Sequence, residues 1–170
     1  MNKPNLFSVI ALLLAITHSH AQTCNPNITR SAPDSRYELL NNGTEVKDSQ
    51  TGLIWQRCSL GQTWSGTSCT GTATTYNWTN ALQTAANMGN GWRVPNIKEL
   101  DSLVEQACYN ASINETYFPN TASNWYWSSS PVAYLSNYAW VVHFDLGYGN
   151  DGYYGDKSNN YYVRLVRSSQ

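Results

Sequence analysis

The chain has 170 residues and is close to neutral, with 10 basic and 11 acidic side chains and a formal net charge of −1. That balance excludes the basic stripe of a nucleic-acid binder and the polybasic contact of a protein held on an anionic membrane. Charged residues are only 12% of the chain, and seven Trp and twelve Tyr stand among many Asn, Ser, Thr and Gly; large, stiff contact surfaces of this kind suit a loop-rich extracellular domain better than a helical cytosolic enzyme.

The N-terminus reads as an export signal, residues 1–21. Lys3 supplies the positive start, Leu6 to Ile16 is a mostly apolar run, and Ser19-His20-Ala21 fits a small-x-small cleavage site. The run is shorter than the roughly 20 residues a spanning helix needs, and no later stretch replaces it, so no stable membrane insertion is expected. Cleavage after Ala21 leaves a chain that begins at Gln22 and loses the basic Lys3. Its expected location is periplasmic, cell-surface or secreted.

All four cysteines follow that site: Cys24, Cys58, Cys69 and Cys108. An even count in an oxidising compartment predicts two disulfides, with three possible pairings. Cys58 and Cys69 bracket a short Gly/Ser/Thr loop, so joining them needs little chain closure; Cys24 then joins Cys108. A zinc site is the rival reading, but there is no Cys-x-x-Cys pair and a single histidine after the signal. No metal or other cofactor is expected.

Residues 22–35 are polar, carry Pro26 and Pro33, and predict an extended tail before a domain spanning 36–170. Tyr37 to Leu40, the turn Asn41-Asn42-Gly43, and Thr44 to Lys47 predict a β-hairpin, since Asn and Gly supply positive φ angles. A turn at Ser49 to Gly52 leads into the short strand Leu53 to Gln56, and residues 59–75 form a loop. Trp78, Ala81, Leu82, Ala85 and Met88 recur at helical spacing, with Asn77 as N-cap and Gly89 as stop. Asn96 to Glu99 resembles a capping box, and Ile97, Leu100, Leu103, Val104 and Ala107 form one apolar stripe of a second helix.

From Trp125 the period becomes two. Tyr126 to Ser130 predicts one strand. Trp140, Val142, Phe144 and Leu146 of a second strand face one way, with Trp140, Val142 and Phe144 expected as anchors, and Val141, His143 and Asp145 face the other. Tyr161 to Arg167 is apolar on both faces and predicts a covered, central strand. Between these last two, Gly147 to Asn160 predicts a long loop, and such loops in compact domains are usually functional.

Four motifs occur in order: Val46-x-Asp48-x-x-Thr51-Gly52-Leu53-Ile54-Trp55; Gly91-Trp92-Arg93-Val94-Pro95-Asn96-x-Lys98-Glu99-Leu100; Tyr126-Trp127-Ser128-Ser129-Ser130; and Val163-Arg164-Leu165-Val166-Arg167. Together they resemble the bacterial Lcl C-terminal domain family, named after a collagen-like adhesin, over about residues 36 to 167. The resemblance implies an α+β, C-type-lectin-like fold: an N-terminal β-hairpin, two helices and a small twisted antiparallel sheet with long loops. It also implies a secreted or surface module; the namesake domain is implicated in binding sulfated polysaccharide. The chain departs from calcium-dependent lectins, whose Glu-Pro-Asn or Gln-Pro-Asp is here Val94-Pro95-Asn96 or Phe118-Pro119-Asn120, with no acidic partner. The Trp-Asn-Asp run and the collagen-like repeats are missing too.

No catalytic residue is expected. His143 alternates with Asp145, but no Gly-x-Ser-x-Gly elbow accompanies it and every cysteine is expected to be oxidised. Asp145, Asp151 and Asp156 are the candidates for a glycosidase pair, and Asn150, Asp151 and Asp156 for calcium, although EF-hand spacing is absent. Arg93 reads as a structural hydrogen-bonding anchor. Sequons at Asn27, Asn42, Asn77, Asn110 and Asn114 matter only in a glycosylating host.

The strongest functional signal is the segment Tyr134 to Tyr162, dominated by Tyr, Asn, Gly, Asp and Ser. Antibody paratopes use the same mixture: rigid amphipathic area from Tyr and adaptable hydrogen bonds from small polar residues. The expected function is recognition of a glycan or an extracellular protein through Tyr148, Asn150, Asp151, Tyr153, Tyr154, Asp156, Asn159 and Asn160. The segment also matches the composition of a diversified variable region. The competing readings are a structural subunit of a surface appendage or envelope assembly, and an enzyme of the formylglycine-generating type, whose chemistry needs free cysteines. Composition leaves the oligomeric state open.

Overall fold

A computed structural model describes residues 21–145 and 153–169. The expected export signal, except Ala21, falls outside this range, as do Leu146 of the expected strand and Gly147, Tyr148, Gly149, Asn150, Asp151 and Gly152 of the expected loop.

The architecture is α+β, built of small antiparallel sheets and two helices. Strand β1 (Thr23–Cys24) opens the described chain. Strands β2 (Tyr37–Leu40), β3 (Glu45–Asp48) and β4 (Leu53–Gln56) then form a meander. The turn between β2 and β3 is wider than a two-residue hairpin: Leu40 pairs with Glu45, and Asn41, Asn42 and Gly43 all take positive φ. Between β3 and β4, Asp48 accepts from the Gln50 amide (3.0 Å) and the Thr51 hydroxyl (2.7 Å), and its backbone carbonyl accepts from Gly52 at φ 72°. From the other side, the buried Arg36 donates two hydrogen bonds to the same carboxylate. The second motif residue of the meander is thus a buried hub, not a surface turn residue.

The expected loop at 59–75 contains a small hairpin, β5 (Thr63–Trp64) and β6 (Cys69–Thr70), clipped to the frame by Cys58–Cys69. Helix α1 (Trp78–Asn87) starts at Asn77, whose side chain accepts from the Asn80 amide at 2.9 Å, and stops before Gly89 at φ 67°. It buries Ala81 and Ala85, small enough for the helix to lie close on Trp127.

Helix α2 (Ile97–Asp101) carries the expected capping box between Asn96 and Glu99. It is shorter than its apolar stripe predicts. Leu103, Val104 and Ala107 are buried, but from a non-helical segment. The reason is Glu105, fully buried, whose carboxylate gathers the amides of Ser31 (3.1 Å), Ala32 (3.0 Å) and Ala107 (2.9 Å). Its own amide donates to Ser112, and Val104 bridges Ile113. These partners draw the chain out of the helix after one turn and leave no buried carboxylate oxygen unmet. Strand β7 (Cys108–Tyr109) follows and pairs with β1, register Cys24↔Cys108, at the second disulfide. Both disulfides are those the loop-closure argument expects.

The C-terminal half is a second sheet, order β10-β9-β8, of β8 (Trp125–Val132), β9 (Leu135–His143) and β10 (Tyr154–Asp156). It lies between two cores. On one face Tyr126, Val142 and Phe144 join Leu100, Trp55 and Val46. On the other, Trp127, Ala139 and Val141 meet Ala81, Ala85, Val163 and Leu165. Three sequence expectations change here. Strand β9 begins earlier than Trp140. Part of the expected loop is strand β10, because its backbone completes the edge of β9. Finally, Trp140 belongs to neither core and is only partly buried, since the cover over Val142 and Phe144 does not reach it.

The last segment is covered as expected, but it is a tie rather than one regular strand. Val163, Arg164, Leu165 and Val166 are fully buried. Tyr161 bridges Tyr76, Tyr162 bridges Tyr126, and only β11 (Val166–Ser168) pairs regularly, beside β4. The first sheet therefore has the order β11-β4-β3-β2.

Candidate functional site

The register of β9 and β10 sets the geometry of the exposed face. Tyr154 lies opposite Trp140 and Asp156 opposite Tyr138, so these four share one side of the sheet. Tyr154 sits edge-on to both neighbours, 5.3 Å from Tyr138 at 83° and 5.8 Å from Trp140 at 84°. Edge-to-face contacts of this kind fix the rings by quadrupole attraction without burying them, and Tyr154 keeps 41% of its surface exposed. Tyr153 points to the other side, 5.4 Å from Trp125, and is 55% exposed. Tyr134 stands out at the β8–β9 turn.

The remaining expected residues divide. Asp156 turns inward on its own loop: the Ser158 amide (2.9 Å) and hydroxyl (2.7 Å) donate to its carboxylate and hold its pKa below the usual carboxylate value. Asn159 donates to the Tyr161 hydroxyl at 3.2 Å, and Asn160 is exposed. Tyr148, Asn150 and Asp151 lie outside the described residues. The face thus brings together Tyr154 and the neighbourhood of Asp156 and adds Tyr138 and Trp140, while Tyr153 lies on the opposite side. Sequence reasoning placed Trp140 in the core and passed over Tyr138. The only signal for either was the composition of the segment.

The catalytic and metal candidates have structural roles where they are described. His143 is edge-on to Trp125 at 4.4 Å; burial lowers its pKa, and nearby Asp145 partly offsets this. Asp145 follows the end of β9, whereas Asp156 pairs with Tyr138 near the start of that strand and is committed to Ser158. Among the described residues, no group of three or more His, Cys, Asp or Glu is placed to hold a metal. All four cysteines are in disulfides, so thiol chemistry would first require a reductant.

The residues of the four motifs hold the frame together. Arg93 donates two 2.6 Å hydrogen bonds to Glu99. The Tyr126 hydroxyl meets Ser59 (2.8 Å) and the Ala122 amide (3.2 Å). Arg164, fully buried, donates to the carbonyls of Gln56 and Arg57 and to the hydroxyls of Ser59 and Thr121. None of those four acceptors is a carboxylate. The charge is stabilised by oriented dipoles and by the Phe118 ring at 4.9 Å, and burial lowers the arginine's pKa. Asn114, one of the sequons, is buried with its amide on Ala32 and Asp34, so a glycan there would break the core.

A family model described as the Lcl C-terminal domain matches residues 44–167. No curated protein matches the chain, and no solved structure does.

Proposed function

As the chain belongs to the Lcl C-terminal domain family, a family that points to a surface or adhesin-associated role, we propose that it is an exported recognition domain that docks a protein partner on the aromatic ridge of Tyr138, Trp140 and Tyr154. The observation that carries this reading is the exposed, edge-to-face packing of Tyr154 between its two neighbours. Rings held this way lose little entropy on binding and still offer amphipathic area, as aromatic anchors of protein interfaces do. The ridge lies on a sheet face, and the grooves at Trp64, at Asn120 and at Asp34 are lined by other residues. An exposed row of aromatic rings on a sheet suits a protein better than a small ligand, which needs a concavity.

Two disulfides and the family membership support an extracellular or exported protein, and no described helix is long and apolar enough to cross a membrane. Removal of residues 1–21, a C-type-lectin-like architecture and binding without turnover complete the reading. A photo-crosslinking residue in place of Tyr138 on the exported protein tests it. Crosslinking to a discrete surface protein, lost on adding Tyr154→Ala, supports it; crosslinks to the chain's own copies, with a dimer or larger form by light scattering, would make the ridge a subunit interface instead.

A further inference from the structure

A second aromatic site lies away from the ridge, on the first sheet. A groove of about 230 Å³ runs between Trp64 of the β5–β6 hairpin and Trp92, with Glu45, Gln56, Gln62 and Thr63 along it. That volume is below the roughly 300–1,000 Å³ of drug-sized pockets and suits one ring of a larger ligand. Gln62 is shared with an adjoining polar cleft of about 750 Å³, where Asn120, Thr121 and Glu115 are among the walls.

Both indoles are held before any ligand arrives. The Arg57 guanidinium lies 3.6 Å from the centre of the Trp64 ring and itself donates to the carbonyls of Gly43 (3.3 Å) and Thr116 (3.0 Å). Gly43, at φ 81°, lies so close to Trp64 that a Cβ there would come within 3.0 Å of its indole nitrogen. Arg167 lies 5.1 Å from the Trp92 ring centre and holds Glu45 at 2.8 Å. The Cys58–Cys69 bridge anchors the hairpin that carries Trp64. Walls fixed in advance lower the ordering cost of binding.

The electrostatics select among ligands. Among the described residues lining the groove Glu45 alone is charged, and it is paired with Arg167, so the lining offers no uncompensated charge to a cation or an anion. What remains is a neutral ligand with an apolar face for the indoles and hydroxyls for the carboxamides. The Gln62 carboxamide oxygen, at the junction of groove and cleft, is buried without a hydrogen-bond partner, an unmet acceptor that a ligand hydroxyl reached by a small turn of the amide would satisfy.

We propose that the Trp64–Trp92 groove binds one ring of a neutral oligosaccharide, and that the next rings pass Gln62 into the polar cleft. This site is independent of the aromatic ridge, so either can fail alone. Titration of the protein with maltohexaose, cellohexaose, chitohexaose and, as the anionic arm, dextran sulfate tests it by tryptophan fluorescence and calorimetry. At least one neutral hexasaccharide should bind saturably and shift indole emission. Trp64→Ala and Gln62→Ala should each weaken that binding at least tenfold with an unchanged melting temperature, while Tyr154→Ala leaves it intact. If Trp64→Ala destabilises the hairpin, Gln62→Ala still decides. The proposal is overturned if no neutral sugar binds at millimolar concentration, if binding survives both substitutions, or if dextran sulfate alone binds.

Discussion

Arg164 and Tyr154 belong to the same C-terminal stretch and to opposite regimes of burial. Arg164 has no solvent exposure and commits its guanidinium to four internal oxygens, whereas Tyr154 is 41% exposed and packs edge-on against two other rings. The same contrast divides the molecule. The motifs that carry the family likeness supply Asp48, Trp55, Glu99, Tyr126 and Arg164, nearly all of them buried or paired. The ridge of Tyr138, Trp140 and Tyr154 falls between the third and fourth motifs. The difference teaches that the four motifs are spent on a frame, while the proposed docking face lies between them on a sheet that the frame supports.

The largest effect should come from the frame. Arg164→Met leaves four oriented oxygens without their donor and should cost about 3–5 kcal/mol, the scale of breaking a buried charged network. Denaturant unfolding measures it, and a loss under about 1 kcal/mol would mean that the buried arginine is replaceable. The disulfides come next. Cys24–Cys108 spans a sequence separation of 84 and Cys58–Cys69 one of 11, so chain entropy predicts losses of roughly 4–5 and roughly 3 kcal/mol for the two Cys-to-Ser pairs. Equal losses would argue that native contacts, not loop length, set the difference.

The ridge should behave in reverse. Tyr154→Ala and Trp140→Ala should weaken partner binding by about 1–2 kcal/mol each, the lower range of an interface hot spot. Neither side chain belongs to a core cluster, so the unfolding free energy should fall by less than about 1 kcal/mol. Affinity and melting temperature on the same variants check this, and early melting with normal binding would return the ridge to the frame.

The smallest effect is the pH dependence of the frame. Burial alone would raise the Asp48 and Glu99 pKa values, but hydrogen bonds from Arg36 and Thr51, and from Arg93 and the Asn96 amide, outweigh it and hold both low. A depressed carboxylate stabilises the fold above its unfolded pKa and loses that contribution as pH falls through the folded one. Stability should therefore be flat near neutrality and decline below about pH 4. Glu99→Gln, at a partly exposed pair worth at most about 1 kcal/mol, should remove a small part of that acid limb. Equal acid sensitivity in the variant would take Glu99 out of the limb and leave it to Asp48 and Asp156.

What the sequence determined by itself is what short-range physics decides. Asn77, and Asn96 with Glu99, start helices because a side-chain oxygen meets an amide three residues on. The Asn-Asn-Gly turn bends where positive φ is cheap. The Cys58–Cys69 loop closes because it is short. The tertiary structure decided the rest, since it depends on partners far away in the chain. Helix α2 stops at Asp101 because Glu105 answers amides at Ser31 and Ala32. Residues 154–156 become a strand because β9 presents an edge to them. Trp140 stays on the surface because alternation along a strand names a face but not how far its cover extends, so the same pattern that buries Val142 and Phe144 leaves the tryptophan beside Tyr154.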